Sequence, residues 1–380
     1  MHILLQIGSI EINTYNLLSF FLGLFAGVFF VLIIYMYGVF RELRKESDLS
    51  TKNNDVNEDL INEINLKKEY KVTSLDINSE SSEVIGDVSG ISINDIESIN
   101  SYLSKADVIS TSVGPKYVQG IYELIDNVNT SKEIFFIAFE NQYRSSTKAQ
   151  SKNSKNIENI ISIDAVVDKI VPPQNNNSLD VVVEKYGSIV LDDLQHKPLD
   201  ESDIVTYGDY EVEFIKKLWL LNGLHLKLAY FGISKDLQFI HEIFEHDEYK
   251  SYATDALEAL ATAFISKTDY EHELSEFKKS ILNRFSQPAL KDEVIRVARN
   301  PKLKFSKNER FQAPLDVLIN KGMEVTTFKA IIDLLISTNF DAVEGYDEFN
   351  NFTKDGLGFF LSEYWELSSD DVDKYKGGLI

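Results

Sequence analysis

Hydrophobic and polar positions change their pattern three times along the chain. Leu17 to Phe40 is a run of 24 residues without a charge. As a helix rising about 1.5 Å per residue it reaches about 36 Å, enough to cross a hydrocarbon core of about 30 Å with some tilt. It has no polar face, unlike the surface helix of a soluble domain, although a buried strand–helix–strand piece is also compatible with it. Tyr35 and Tyr37 suit the lipid headgroup level, and Arg41, Arg44 and Lys45 follow at once. The pattern predicts a short N-terminal segment over 1–16, then a single-pass transmembrane helix over 17–40 with a cytoplasmic C-terminal body. Gly23 and Gly27 form a G-x-x-x-G, which could let two such helices pack closely as a homodimer, although glycines are common in membrane helices in any case.

Residues 41–54 are polar and read as a linker, with Ser47, Ser50, Thr51, Lys52, Asn53 and Asn54. Apolar residues at 60, 61 and 64 then predict a short amphipathic helix over 55–65. Strand-like and helix-like stretches alternate to about residue 198. Ala106 to Gly114 is a short strand running into a Gly-Pro turn, and 117–128 has helical spacing. Ile134 to Phe139 is a continuous apolar run, as expected of a strand buried on both faces. Leu179 to Glu184 and Ser188 to Leu191 look like a hairpin around Gly187. These elements predict an α/β domain over 55–198 with a largely parallel sheet. Over 199–380 strands nearly vanish. Helical periodicity covers 210–231, 236–244, 252–265, 270–285 and 326–336, punctuated by Pro288, Pro301 and Pro314, which predicts an all-α C-terminal domain.

Composition narrows the chemistry. The length of 380 residues allows two or three domains. There are no cysteines, which excludes disulfides, thiolate metal sites and a cysteine nucleophile. Asp plus Glu number 60 against 38 Lys plus Arg, a formal charge of −22, which repels nucleic-acid backbones but leaves room for a local basic pocket and a small anionic substrate. His241-Glu-Ile-Phe-Glu-His246 is one residue too long to place two zinc-binding histidines at i, i+4, and reads as a solvated helix end with no metal site.

The segment Lys216-Lys-Leu-Trp-Leu-Leu-Asn-Gly-Leu-His225 puts three polar groups, Lys217, Asn222 and His225, on an otherwise apolar helix. On an α-helix Asn222 and His225 are about 60° apart, and Lys217 lies about 80° from His225 on the other side. Desolvation would lower the pKa of Lys217 toward that of a general base working near neutral pH. Asn222 and His225 would then hydrogen-bond an oxyanion or its neighbouring hydroxyls. A lysine that snorkels beside two satisfied polar groups fits the same spacing.

The K-x4-N-x2-H pattern at Lys217, Asn222 and His225 resembles that of the mannitol-1-phosphate 5-dehydrogenases, within the polyol-specific long-chain dehydrogenase family. Four other blocks agree in order. Thr111-Ser-Val-Gly-Pro115 looks like the family's T-A-V-G-P turn, and Glu140-Asn141 followed by Arg144 resembles its E-N-x-x-R. Val167-Asp-Lys-Ile-Val-Pro172 resembles V-D-R-I-V-P with Lys169 in place of arginine, and Arg284 to Pro288 followed by Leu290 to Arg299 is similar to a longer block. The resemblance covers roughly 55–365. It implies a Rossmann-like domain followed by a helical substrate domain, and NAD-dependent oxidation of a polyol phosphate to the ketose phosphate without a metal. Lys217 would be the base, Asn222 and His225 the oxyanion and hydroxyl partners, and Asn141 a further polar contact. The turn Val113, Gly114 and Pro115 would lie beside the nucleotide, and Asp55 would bind the adenine ribose. Arg284, Arg296 or Arg299 would meet the substrate phosphate.

One departure stands against this match. The family opens with a strand, a G-x-G-x-x-G loop and a helix, which together hold the pyrophosphate. No G-x-G-x-x-G occurs in the 380 residues, so the first βαβ unit reads as missing or altered. Two readings remain open from the sequence: a membrane-tethered dehydrogenase that binds NAD in an altered way, or a membrane-anchored, non-catalytic interaction module derived from such an enzyme.

Overall fold

The computed structural model describes residues 55–379 apart from 77–78, 93–94, 127–131, 154–158, 173, 175–177, 193–194, 203 and 273. Two compact units divide between Glu213 and Phe214.

The first unit contains two sheets among its described residues. A three-stranded sheet has the order β2-β1-β6, with β1 at Tyr70–Asp76, β2 at Ser79–Ile85 and β6 at Val181–Glu184. β1 and β2 are antiparallel, and β6 joins β1 in parallel. The amphipathic helix expected after the linker is present at Asp55–Lys67, and its Leu60 packs with Tyr70, Val72, Ile85 and Val181. Asn65 fastens the far end of this helix: its amide donates to Gly90 O at 2.8 Å and accepts from Gly90 N at 3.0 Å.

The second sheet runs β3 (Val108–Thr111), β4 (Ile134–Ala138), β5 (Ile160–Asp168), β7 (Ser188–Leu191) and β8 (Val205–Tyr207) in that order. β3, β4 and β5 are parallel, β7 is antiparallel to β5, and β8 is parallel to β7. With helices Val118–Asp126 and Ser145–Ser151 between them, β3, β4 and β5 form a βαβαβ unit. The apolar run of β4 is explained by its two covered faces. Ile134, Phe136 and Ala138 pack with Leu103, Ile121 and Ile125, whereas Ile137 and Phe139 pack with Ile163, Ile189 and Val205.

The hairpin expected around Gly187 is not formed. β6 and β7 are separated by three residues yet belong to different sheets. Tertiary pairing outweighs the local turn: β6 matches the exposed edge of β1 more than a hundred residues earlier, and Lys169 Nζ donates to Tyr186 O at 2.9 Å beside the bend.

The second unit is helical. A helix enters it at Tyr210–Lys216, passes through a π-helical segment at Lys217–Gly223 and continues as α-helix over Leu224–Ser234. Helices Asp247–Thr268, Leu274–Phe285, Gln312–Asn320, Thr326–Ser337 and Ser369–Leu379 surround it. The helix expected over 236–244 is instead a 3-10 turn at Ile240–Glu245; it contains His241, and His246 precedes the next helix. Aromatic rings fill the centre, among them Tyr230, Phe305, Phe311, Phe328 and Trp365, whose indole N–H donates to Phe305 O at 2.7 Å.

The transmembrane expectation is corrected: no helix among the described residues is long and apolar enough to cross a membrane. The run 17–40 itself, with Gly23 and Gly27, lies outside the described residues, as does the missing or altered first βαβ unit.

Gly223 ends the π segment against a neighbouring backbone. A Cβ there would stand 2.8 Å from Arg310 O. Gly223→Ala must push the two apart, and should cost about 1–3 kcal/mol, read as a lower urea midpoint at unchanged slope.

Candidate active site

The π segment changes the geometry read from the K-x4-N-x2-H spacing. On an α-helix Lys217 and Asn222 would be about 140° apart. With i→i+5 hydrogen bonding, five residues make roughly one turn, so both fall on the same side of the helix. His225 lies three residues further on, where α-helical spacing resumes, and is a neighbour of Asn222. Trp219, Leu220 and Leu221 between them are buried in the unit's core, whereas Lys217, Asn222 and His225 are half-buried.

Asn222 Nδ2 is buried without a hydrogen-bond partner. An orphan donor of this kind costs about 1–3 kcal/mol, which a ligand oxygen would offset. His225 is held from two sides. Its ring stacks on Phe285 at 4.6 Å between centroids, and its Nε2 lies 2.6 Å from Asp292 Oδ2, close in distance though poorly aligned for a hydrogen bond. Asp292 is buried and also bound by Arg296 Nη2. Burial pushes its carboxyl up, but the adjacent His225 and Arg296 outweigh this and hold it below the usual range. Asp292 was not singled out by the sequence; an acid four residues past Pro288 gives no periodic signal.

Of the arginines expected to meet a phosphate, Arg284 is buried in the last turn of Leu274–Phe285. Arg296 and Arg299 are close to one another, with Arg299 Nε donating to Arg296 O at 3.1 Å. They belong to a basic group with Lys304 and Arg310. The Lys304 ammonium donates to Val297 O at 2.6 Å, and its pKa is lowered to about 7 by burial and by the charges of Arg310, Arg299 and Arg296. Lys304 and Arg310 were missed because their cluster forms only when Val294–Ala298, Pro301–Lys304 and the chain before Gln312 fold together.

In the first unit the expected cofactor turn follows β3. Gly114 has φ of 88°, a left-handed conformation that suits glycine at this bend. The amides of Val113 and Gly114 both point at Glu140 Oε1, at 2.6 and 3.1 Å. Thus Glu140 of the E-N-x-x-R stretch binds the neighbouring turn from within. Its carboxyl is pushed up to about 7 by burial, against the pull of the two amides. Thr111 Oγ1, at the carboxyl end of β3, is buried without a partner. Asn141 is exposed just past the carboxyl end of β4, the side of a parallel sheet where ligands bind. Asp55 is the first residue of helix Asp55–Lys67.

The model of the mannitol dehydrogenase Rossmann domain matches residues 21–201, and that of the mannitol dehydrogenase C-terminal domain matches 211–344. The chain belongs to the mannitol dehydrogenase family. It is an oxidoreductase of the polyol dehydrogenase type. The mannitol-1-phosphate 5-dehydrogenase of Mycoplasmopsis pulmonis is 29% identical over 348 residues, covering 86% of this chain and 92% of that protein. The enzyme of the same name from Mycoplasma pneumoniae is 26% identical, over 80% of this chain and 83% of its own. Among solved structures, a Pseudomonas fluorescens mannitol 2-dehydrogenase in ternary complex with NAD and D-mannitol has a TM-score of 0.66 at 15% identity, over 86% of this chain and 82% of that one. A substrate-free D-sorbitol dehydrogenase has a TM-score of 0.69, also at 15% identity, over 86% of this chain and 84% of that one. This likeness establishes a Rossmann-like α/β fold with a helical C-terminal domain. The Rossmann match starts at residue 21, inside the run expected to span a membrane, and so overturns the reading of those residues as an appended anchor and of the body as membrane-tethered.

Glu140 gives the first unit a defined pH dependence. Its folded pKa lies above the usual carboxylate value, so between about 4.5 and 7 the folded chain holds more protons than the unfolded one, and stability falls as pH rises through that window. Glu140→Gln keeps the single oxygen that accepts both amides and removes the ionisation. Urea titrations from pH 4.5 to 7.5 should show this part of the slope gone in Glu140→Gln, while Glu140→Ala loses both bonds and about 2–3 kcal/mol.

Proposed function

We propose that this enzyme oxidises a phosphorylated sugar alcohol of the mannitol 1-phosphate type to the ketose phosphate, with NAD as hydride acceptor and Lys217 as general base. What supports the reading is the orphan amide of Asn222 on a π segment whose wider turn puts residues five apart, Lys217 and Asn222, toward one side. The names of the two mycoplasmal relatives agree with it.

In this reading the Lys217 amine takes the hydroxyl proton of the substrate. Asn222 Nδ2 donates to the same oxygen as its charge develops, which answers for the unmet donor. Asp292 fixes the ring of His225, so that its free nitrogen is aimed at an adjacent hydroxyl without a search over rotamers. Asn141 supplies a further polar contact from the end of β4. NAD, when bound, receives the hydride. The turn at Val113, Gly114 and Pro115 and the unpartnered Thr111 hydroxyl fit a nucleotide at the carboxyl end of β3, and Asp55 is the acid assigned to its ribose.

Arg296, Arg299, Lys304 and Arg310 are assigned to the phosphate. Lys304, whose pKa is lowered first by burial and then by the charges of Arg310, Arg299 and Arg296, would be stabilised with them by a dianion. Arg284, buried in the last turn of its helix, is not assigned to this group.

Reduction of NAD by mannitol 1-phosphate, followed at 340 nm, tests the base. Lys217→Ala should lower kcat by about a hundredfold or more, in the range of general-base loss, with the fold intact by circular dichroism. Full turnover in that variant would remove Lys217 from the reaction. The phosphate site has its own readout: Lys304→Met should raise KM for mannitol 1-phosphate about tenfold and leave KM for NAD unchanged. The wild-type KM should also climb as pH rises through about 7, where Lys304 loses its charge, and this climb should flatten in the variant.

A further inference from the structure

Arg144 closes the E-N-x-x-R stretch and has no part in the chemistry assigned above. Its backbone is held at φ of 50°, which costs a non-glycine residue about 1 kcal/mol or more. The compensation is local and dense. Its N–H donates to the Tyr210 hydroxyl at 2.7 Å. Its Nε and Nη2 both reach Glu211 Oε1, at 2.9 and 2.7 Å. Its Nη1 donates to Asp192 at 2.6 Å and to Asp164 at 3.3 Å. The guanidinium carbon stands 4.7 Å from the centre of the Tyr210 ring.

The partners of this clamp fall on two kinds of element. Asp164 is anchored on β5. It is buried, and its carboxylate also accepts from Ser146 N, Thr147 N and the Thr147 hydroxyl at 2.9, 3.1 and 2.6 Å, capping helix Ser145–Ser151. Tyr210 and Glu211, by contrast, are the first two residues of the helix Tyr210–Lys216, and Lys217 is the next residue along. Arg144 therefore ties the start of that helix to a turn fastened on the sheet.

We propose that Arg144 is a positioning residue for Lys217. A helix is stiff over so short a distance: from Glu211 to Lys217 it advances about 9 Å. Fixing the first turn by ring and carboxylate sets the rotation of the helix about its axis, and thereby the direction of the amine. The planar fork is essential to this. A lysine offers a point charge at one place and cannot hold Glu211, Asp192 and the Tyr210 face together. The proposal rests on the reading of Lys217 as the base.

The test uses the full chain with NAD and mannitol 1-phosphate, in Arg144→Gln, Arg144→Lys and Glu211→Ala. Each should lose about tenfold or more in kcat while both KM values stay within about threefold, because the groups assigned to the phosphate and the nucleotide are untouched and the change falls on the aim of the base and of the helix that carries it. Arg144→Lys should not rescue, and the double variant Arg144→Gln with Glu211→Ala should be no slower than the slower single variant. Folded variants with lowered melting temperature but kcat within twofold of wild type would overturn the proposal, since a purely structural clamp behaves that way. Should Arg144→Gln fail to fold, Glu211→Ala, at a half-exposed position, carries the same two outcomes. Lys217→Ala run in parallel separates the two ideas: full turnover there removes the base and what Arg144 would position, whereas slow turnover there beside normal Arg144 variants removes the clamp alone.

Discussion

Helix hydrogen bonding that closes on the fifth residue, rather than the fourth, is the constraint on which the second unit's candidate site depends. A lysine and an asparagine five positions apart diverge on an α-helix. Over Lys217–Gly223 the wider turn brings them to one side, at some loss of hydrogen-bond quality in the backbone. Surrounding contacts hold the segment in this form. Leu220 and Leu221 are sealed in the core, and Gly223 admits the carbonyl of Arg310 to a distance no side chain would allow. The irregular segment is thus a product of packing, and the packing is that of a rigid helical centre.

The chain is strongly acidic overall, yet Arg296, Arg299, Lys304 and Arg310 gather within one unit. The chain of contacts from Arg296 to Asp292 to His225 passes orientation from a charged surface to a ring stacked on Phe285. In the first unit the roles are reversed: carboxylates do the holding. Asp164 and Glu140 each bind backbone amides from a buried position, one at a helix start and the other at the bend after β3. A buried carboxylate is costly alone but becomes a fixed organiser when N–H groups converge on it.

The apolar run over 17–40 illustrates the limit of composition as a guide to environment. An uncharged stretch of that length satisfies the arithmetic of a bilayer and equally that of a strand and helix enclosed by a sheet. The family match that takes in residues 21–40 assigns it to the nucleotide-binding domain. Local signals mislead for the same reason around Gly187, where two short β stretches flanking a glycine join separate sheets because each finds a better partner far away in the chain.

The sequence by itself determined the succession from an α/β unit to a helical one, because periods of two and of 3.6 residues are written into neighbouring positions. It also determined the family, because motifs keep their order along the chain whatever the fold does between them. Helix boundaries such as Asp55–Lys67 and Thr326–Ser337 were legible for the first reason, and the candidates Lys217, Asn222 and His225 came from the second. Tertiary structure alone decided that a π turn aligns the first two of these, and that Asp292 steadies the third. It decided too that Lys304 and Arg310 join the arginines, and that Arg144 grips the start of the helix. Each of these depends on groups brought together across many residues or on a departure from regular helix geometry, and neither leaves a periodic trace in the order of amino acids.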